Sequence, residues 1–128
     1  MTGKEYQVLA NVTNDGKSTQ RLEDWSYLNT RRKIFPDTGA ILNACLGLSG
    51  EVGEFNDLIK KAIFHEKPID IQHAKKELGD VMWYVALMCT AFGWDLDEIL
   101  QMNIDKLSKR YPEGFDVVKA NNRAENDL

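Results

Sequence analysis

The stretch Glu51-Val52-Gly53-Glu54, answered by Glu77-Leu78-Gly79-Asp80 after a spacer of residues 55–76, decides how this chain is read. In each tetrad the acids stand at i and i+3, a spacing that on a helix sets two carboxylates on one face, about 5–6 Å apart at Cβ. Residues 64–69 contain Pro68 and break the helical pattern between the tetrads. If the chain turns back on itself there, residues whose numbers sum to 131 lie level. Glu51 then faces Asp80 and Glu54 faces Glu77. A turn displaced by one or two residues would slide these pairs by only about 3–6 Å.

Four carboxylates drawn together lose hydration and repel one another, so they either take up protons or bind cations. A ligand set made only of oxygen favours a hard ion, and Mg²⁺ characteristically combines a few carboxylates with water and substrate phosphates. The pattern therefore points to phosphate chemistry. Taken singly, an acid at helical spacing is a solvated surface residue. Here Gly47, Gly50, Gly53 and Gly79 also sit within helical pattern, each costing about 1 kcal/mol relative to Ala, and we expect them to mark close approach of another backbone or a ligand. A phosphate-cradling glycine loop is excluded because no Gly-Lys-Ser/Thr follows, and Gly47-Leu48-Ser49-Gly50-Glu51 lacks the second glycine of a hydrolase nucleophile elbow.

Working outward, Ile41, Cys45, Leu48, Val52, Phe55, Ile59 and Ala62 advance in alternating steps of four and three, as an apolar seam does. Glu51, Glu54, Leu58 and Lys61 form the neighbouring stripe. The second helix repeats the arrangement, with Ile71, Ala74, Leu78, Val81, Val85, Met88 and Phe92 as its seam and His73, Glu77, Asp80, Tyr84 and Leu87 beside it. The acids are thus expected at the margin of the packed face. Asp37 and Asp70 are candidate N-caps, Gly93 a helix stop, and Asp95 with Glu98 resembles a capping box. The short connection makes the two long helices antiparallel neighbours.

A further helix after Asp95 carries Leu96, Leu100, Ile104, Leu107 and Tyr111 on one stripe and Asn103, Lys106 and Arg110 on another, ending at Pro112 and Gly114. Upstream, Lys4–Val12 reads as a short helix with Tyr6, Leu9 and Ala10 inward, Asn14–Ser18 as a turn, and Leu22, Trp25 and Leu28 as a helical stripe. His65 and His73 flank the turn as exposed residues, and neither completes the Glu-x-x-His motif of a di-iron bundle.

These blocks resemble the MazG-like nucleotide pyrophosphohydrolases of the all-α NTP pyrophosphatase superfamily. The likeness lies in Glu51-x-x-Glu54 and Glu77-x-x-Asp80 with their flanks, residues 46–54 and 76–84, and in Asn103-x-x-Lys106-Leu107-x-x-Arg110-Tyr111-Pro112-x-Gly114-Phe115. It covers residues 40–115, with a weaker echo at Tyr6-Gln7. It implies an all-α bundle of about four or five helices, completed by association into a homodimer or homotetramer. The implied activity is Mg²⁺-dependent cleavage of a nucleoside triphosphate, ribo or deoxy, to the monophosphate and pyrophosphate, with Mn²⁺ as a substitute ion. Glu51, Glu54, Glu77 and Asp80 would hold the ion, and one of them, Glu54 among the candidates, would take the water's proton. Asn103, Lys106, Arg110 and Tyr111 look like the family's phosphate-binding residues, and Lys61 is a further candidate from its stripe. Two rivals stand beside this reading: hydrolysis of a related nucleotide-pyrophosphate compound, and a catalytically silent helical interaction module.

At 128 residues the chain is expected to form one domain, with a core at residues 37–115 and a polar, frayed tail at 116–128. Its net charge of −4 argues against a nucleic-acid polymer as partner. No apolar run reaches the length of a bilayer span, and Met1–Glu5 lacks a signal-peptide pattern, so no membrane partner and a cytoplasmic protein are expected. Cys45 and Cys89 read as buried small hydrophobes rather than a disulfide pair.

Overall fold

The structure, a computed structural model, describes residues 1–124 and 127. It is all-α: α1 (Gly3–Asn11), α2 (Lys17–Arg32), α3 (Thr38–Phe64), α4 (Ile71–Phe92), α5 (Leu96–Arg110) and α6 (Val117–Asn121), with no β-strand among the described residues. The count exceeds the four or five expected, because Asp116 caps a short helix inside the supposed tail, its side chain accepting from the backbone N–H of Lys119 at 3.0 Å. The rest of that tail includes residues 125, 126 and 128, which lie outside the described residues. No helix among the described residues is long and apolar enough to cross a membrane.

Two compact units divide the chain, Met1–Thr38 and Gly39–Leu128. In the first, α1 starts at a full capping box, Thr2 receiving the backbone N–H of Glu5 and returning its own to the Glu5 carboxylate. Tyr6, Leu9 and Ala10 were expected inward, yet all three are exposed and α1 buries nothing. A nine-residue helix offers too few turns to form a core alone. The end of α2 is held by Asn29, the buried polar residue of this unit. Its carbonyl oxygen Oδ1 accepts from Phe35 N–H at 2.7 Å and its amide donates to Thr38 Oγ1. Trp25 packs edge-on against Phe35, with ring centroids 5.0 Å apart.

The second unit is built on α3 and α4, joined by residues 65–70. Asp70 caps α4 by accepting the N–H of His73 at 3.0 Å, and Gly93 closes it at φ 72°, as the sequence suggests. Asp95 caps α5 by accepting from Asp97 N–H at 3.0 Å, two residues on. The expected register holds: a Cβ on Gly47 would lie 2.1–2.5 Å from the ring of Tyr84, so these residues, whose numbers sum to 131, face each other. The other three motif glycines do not mark crowding; nothing lies within 4 Å of a Cβ added at Gly50, Gly53 or Gly79.

Burial corrects the expected packed face. On α3 Ile41 and Ala44 are buried, and Leu48, Glu51, Phe55, Leu58 and Ala62 are partly buried, whereas Cys45 and Val52 are exposed. On α4 Ala74, Glu77, Val81, Tyr84 and Met88 are partly buried and Ala91 is buried, whereas Ile71 and Leu78 are exposed. Ile59 on α3 and Val85 and Phe92 on α4 are partly buried as well, so most of the expected seam does face inward, and the partly buried Glu51 and Glu77 extend the enclosed face to their side of each helix.

Candidate active site

The carboxylates follow from that enclosed face. Glu51 sits one turn beyond Gly47 on α3, and Asp80 one turn before Tyr84 on α4, so the contact at Gly47 sets the spacing at which the acids meet. Glu51, Glu77 and Asp80 each place a carboxylate oxygen within 4.8 Å of the other two. Glu54 does not join them. It stands about 60° around the α3 axis from Glu51 and is exposed, while still adding repulsion at Glu51.

Burial, then the negative charges of Glu54, Asp80 and Glu77, raise the Glu51 carboxyl above the ordinary glutamate range. The Glu77 side chain is largely enclosed, 12% exposed. Its Oε1 lies 2.7 Å from Nε2 of His73, one turn earlier on α4, and its Oε2 is buried with no hydrogen-bond partner. Among the described residues no Lys or Arg pairs with Glu51, Glu77 or Asp80. A buried carboxylate oxygen without a donor calls for a counterion or a proton.

These features fit a hard divalent cation. Three acids with oxygens no more than 4.8 Å apart form the oxygen-only donor set that such ions take.

The other candidate residues have surroundings of their own. Lys61 is paired with Asp57 at 2.5 Å, a bond that holds the Asp57 carboxyl below the usual range. Asn103 and Lys106 are exposed on α5. Arg110 forms a two-pronged bond with Asp127, 2.7 Å from Nε and from Nη2, and its guanidinium lies 5.8 Å from the Tyr111 ring centroid. Each partner strengthens the other's charge: Asp127 raises the Arg110 value and Arg110 lowers that of Asp127. His73, read from the sequence only as an exposed residue flanking the turn, is the side chain that contacts Glu77. Its signal was present in the i, i+4 spacing to Glu77.

The fold and the site define the class: an all-α chain in which carboxylates from two neighbouring helices converge as a candidate cation site. Residues 41–115 match the MazG nucleotide pyrophosphohydrolase domain, and the chain belongs to that family. It is also similar to the Gene 37 protein of Mycobacterium phage L5, 34% identical over 82 residues that cover 61% of this chain and 72% of that one. No solved structure gives a significant match.

Proposed function

We propose that this protein is a Mg²⁺-dependent nucleoside triphosphate pyrophosphohydrolase, releasing the monophosphate and pyrophosphate. The observation that supports this best is the convergence of the Glu51, Glu77 and Asp80 carboxylates, with the buried, unpartnered Glu77 oxygen. Those three residues would hold the ion, with Mn²⁺ able to replace it. When bound, the ion supplies charge neutralisation for the phosphate oxygens and a water of lowered pKa. Glu54, exposed beside Glu51, is free to accept that water's proton. Arg110 and Lys106, with Asn103 and Tyr111, are proposed to hold the phosphate chain, the guanidinium as a fork and the ammonium as a point charge. Lys61 serves in this reading only when it exchanges Asp57 for substrate.

The test is a product-resolved assay with each nucleoside triphosphate, ribo and deoxy, in the presence of Mg²⁺. Monophosphate with pyrophosphate is the expected pair. Diphosphate with orthophosphate would refute the assigned bond. Turnover confined to other nucleotide-pyrophosphate compounds would move the substrate, and no Mg²⁺-dependent nucleotide binding at all would favour a silent interaction module.

We further propose that the chain works as a homodimer or homotetramer. Leu46 is 76% exposed, Leu78 52% and Val52 41%, with Leu42 and Met82 also open, so large apolar side chains of α3 and α4 are uncovered within one chain. Patches of this kind mark association surfaces. Light scattering at micromolar concentration should report a dimer or larger, and Leu46→Glu with Leu78→Glu should reduce it to monomer. A wild-type monomer would refute the assembly.

A further inference from the structure

The geometry points to His73 as a positioning residue for the cation centre: its Nε2–H pins Oε1 of Glu77, so that the buried, unpartnered Oε2 is the oxygen presented to the ion. This inference rests on the cation centre proposed above and goes beyond it in assigning a role outside the four motif acids.

Three observations carry it. The Nε2 to Oε1 distance is 2.7 Å, and among the described residues it is the one side-chain hydrogen bond made to Glu51, Glu77 or Asp80. The other Glu77 oxygen is buried and has no partner, so the two oxygens of one carboxylate have been given different tasks. Finally, His73 is itself held, since its backbone N–H is bonded to the capping carboxylate of Asp70 at 3.0 Å. The sequence Asp70, His73, Glu77 is thus a relay of fixed positions along the first turns of α4, ending at the proposed ligand. The imidazole donates from Nε2 both as the Nε2–H tautomer and as imidazolium, so the bond does not require a change of protonation.

A glutamate ligand has three side-chain torsions to restrain before it can coordinate, and a second hydrogen bond removes much of that freedom in advance. Outer partners of this sort change metal affinity by about 10–100-fold when removed. His73 is 50% exposed at its side chain, so its loss opens no cavity in the protein. Alanine also has the higher helix propensity, so His73→Ala should leave α4 as helical as before.

The experiment is Mn²⁺ binding to the intact protein without nucleotide, followed by the electron paramagnetic resonance signal of free Mn²⁺, with circular dichroism as a folding control. Wild type should bind saturably and Glu77→Gln should not. His73→Ala should bind at least about 10-fold more weakly, and His73→Gln, whose amide donates from a comparable reach, should recover most of the difference. Equal affinity of His73→Ala and wild type would overturn the role of His73 while leaving the cation centre standing, as would weakened binding that His73→Gln does not restore. A wild type that binds no better than Glu77→Gln would overturn the cation centre itself.

Discussion

Replacing Gly47 by alanine tests the register on which the acidic group depends. The added methyl would stand 2.1–2.5 Å from three ring atoms of Tyr84, about 0.9–1.3 Å inside the 3.4 Å at which ordinary contact begins. The ring is not free to swing without consequence, because it packs edge-on against Trp83 with centroids 4.9 Å apart. Overpacking of this kind costs about 1–3 kcal/mol, against a gain of about 1 kcal/mol from replacing glycine within a helix. Gly50→Ala, Gly53→Ala and Gly79→Ala receive the same gain with no clash inside the chain. Gly47→Ala should therefore lie about 1–3 kcal/mol below those three, a separation of roughly 4–12 °C in thermal midpoint for a domain of this size. Denaturant unfolding measures it directly. Adding Tyr84→Ala to Gly47→Ala should remove the clash, so the double-mutant cycle should show coupling of about 1 kcal/mol or more. If Gly47→Ala is stabilised as much as Gly53→Ala, the helices do not meet at this point and the reasoning fails.

Glu54→Gln should reduce turnover by about 10²–10⁴-fold while Mn²⁺ binding survives; an active variant would free Glu54 from the proton-transfer role. Glu51 holds its proton more tightly in the folded chain than an ordinary glutamate does, so without metal the folded state gains as pH falls through that raised value and loses as pH rises through it. Glu51→Gln should consequently raise the metal-free thermal midpoint at neutral pH and abolish the increment that Mg²⁺ adds to wild type; an unchanged Mg²⁺ increment would exclude Glu51 as a ligand. Asp127 has the opposite sign, since Arg110 depresses its value. Its stabilising effect should be complete above the ordinary carboxylate value of about 3.9 and disappear as pH falls through the depressed one. The stability difference between wild type and Asp127→Asn should therefore shrink in acid, and a pH-independent difference would show that the ion pair does not contribute through charge.

Periodicity carried the two long helices, their caps at Asp70 and Asp95 and the stop at Gly93, because these depend on local backbone chemistry. The antiparallel register was equally legible, since a short connection leaves little freedom to slide and the level pairs follow from counting. The apolar stripe was legible in its larger part, and what misled was the assumption that all of it must face inward. Cys45, Val52, Ile71 and Leu78 belong to that stripe and are exposed, while Ala44 is buried and Glu51 and Glu77 are partly buried. Hydrophobicity ranks faces by their affinity for any apolar partner and is silent on which partner is in the same chain. The same reasoning explains Tyr6 and Leu9 of α1, assigned inward for their composition and found exposed. The pairing of Arg110 with Asp127 spans 17 residues and no periodicity signals it.

A helix pair that turns carboxylates toward its shared face gives up hydrophobic burial where it would ordinarily be greatest. A fully buried leucine contributes about 1.5–3 kcal/mol, and Leu42, Leu46 and Leu78 are withheld from the interior while Glu51 and Glu77 are drawn into it. Such an arrangement loses on both counts unless the acids are neutralised and the outer apolar stripe is covered. The cation proposed for the inner face answers the first deficit, and the self-association proposed for the outer face answers the second. The two are then linked: a cation that binds only the folded pair at 100 times its dissociation constant adds about 2.7 kcal/mol, and each chain stabilised in this way presents its outer stripe for assembly. On this view Mg²⁺ should lower the protein concentration at which assembly begins, while Glu77→Gln should make assembly insensitive to Mg²⁺. Sedimentation velocity with and without the ion measures both, and assembly that ignores Mg²⁺ in wild type would separate the two faces.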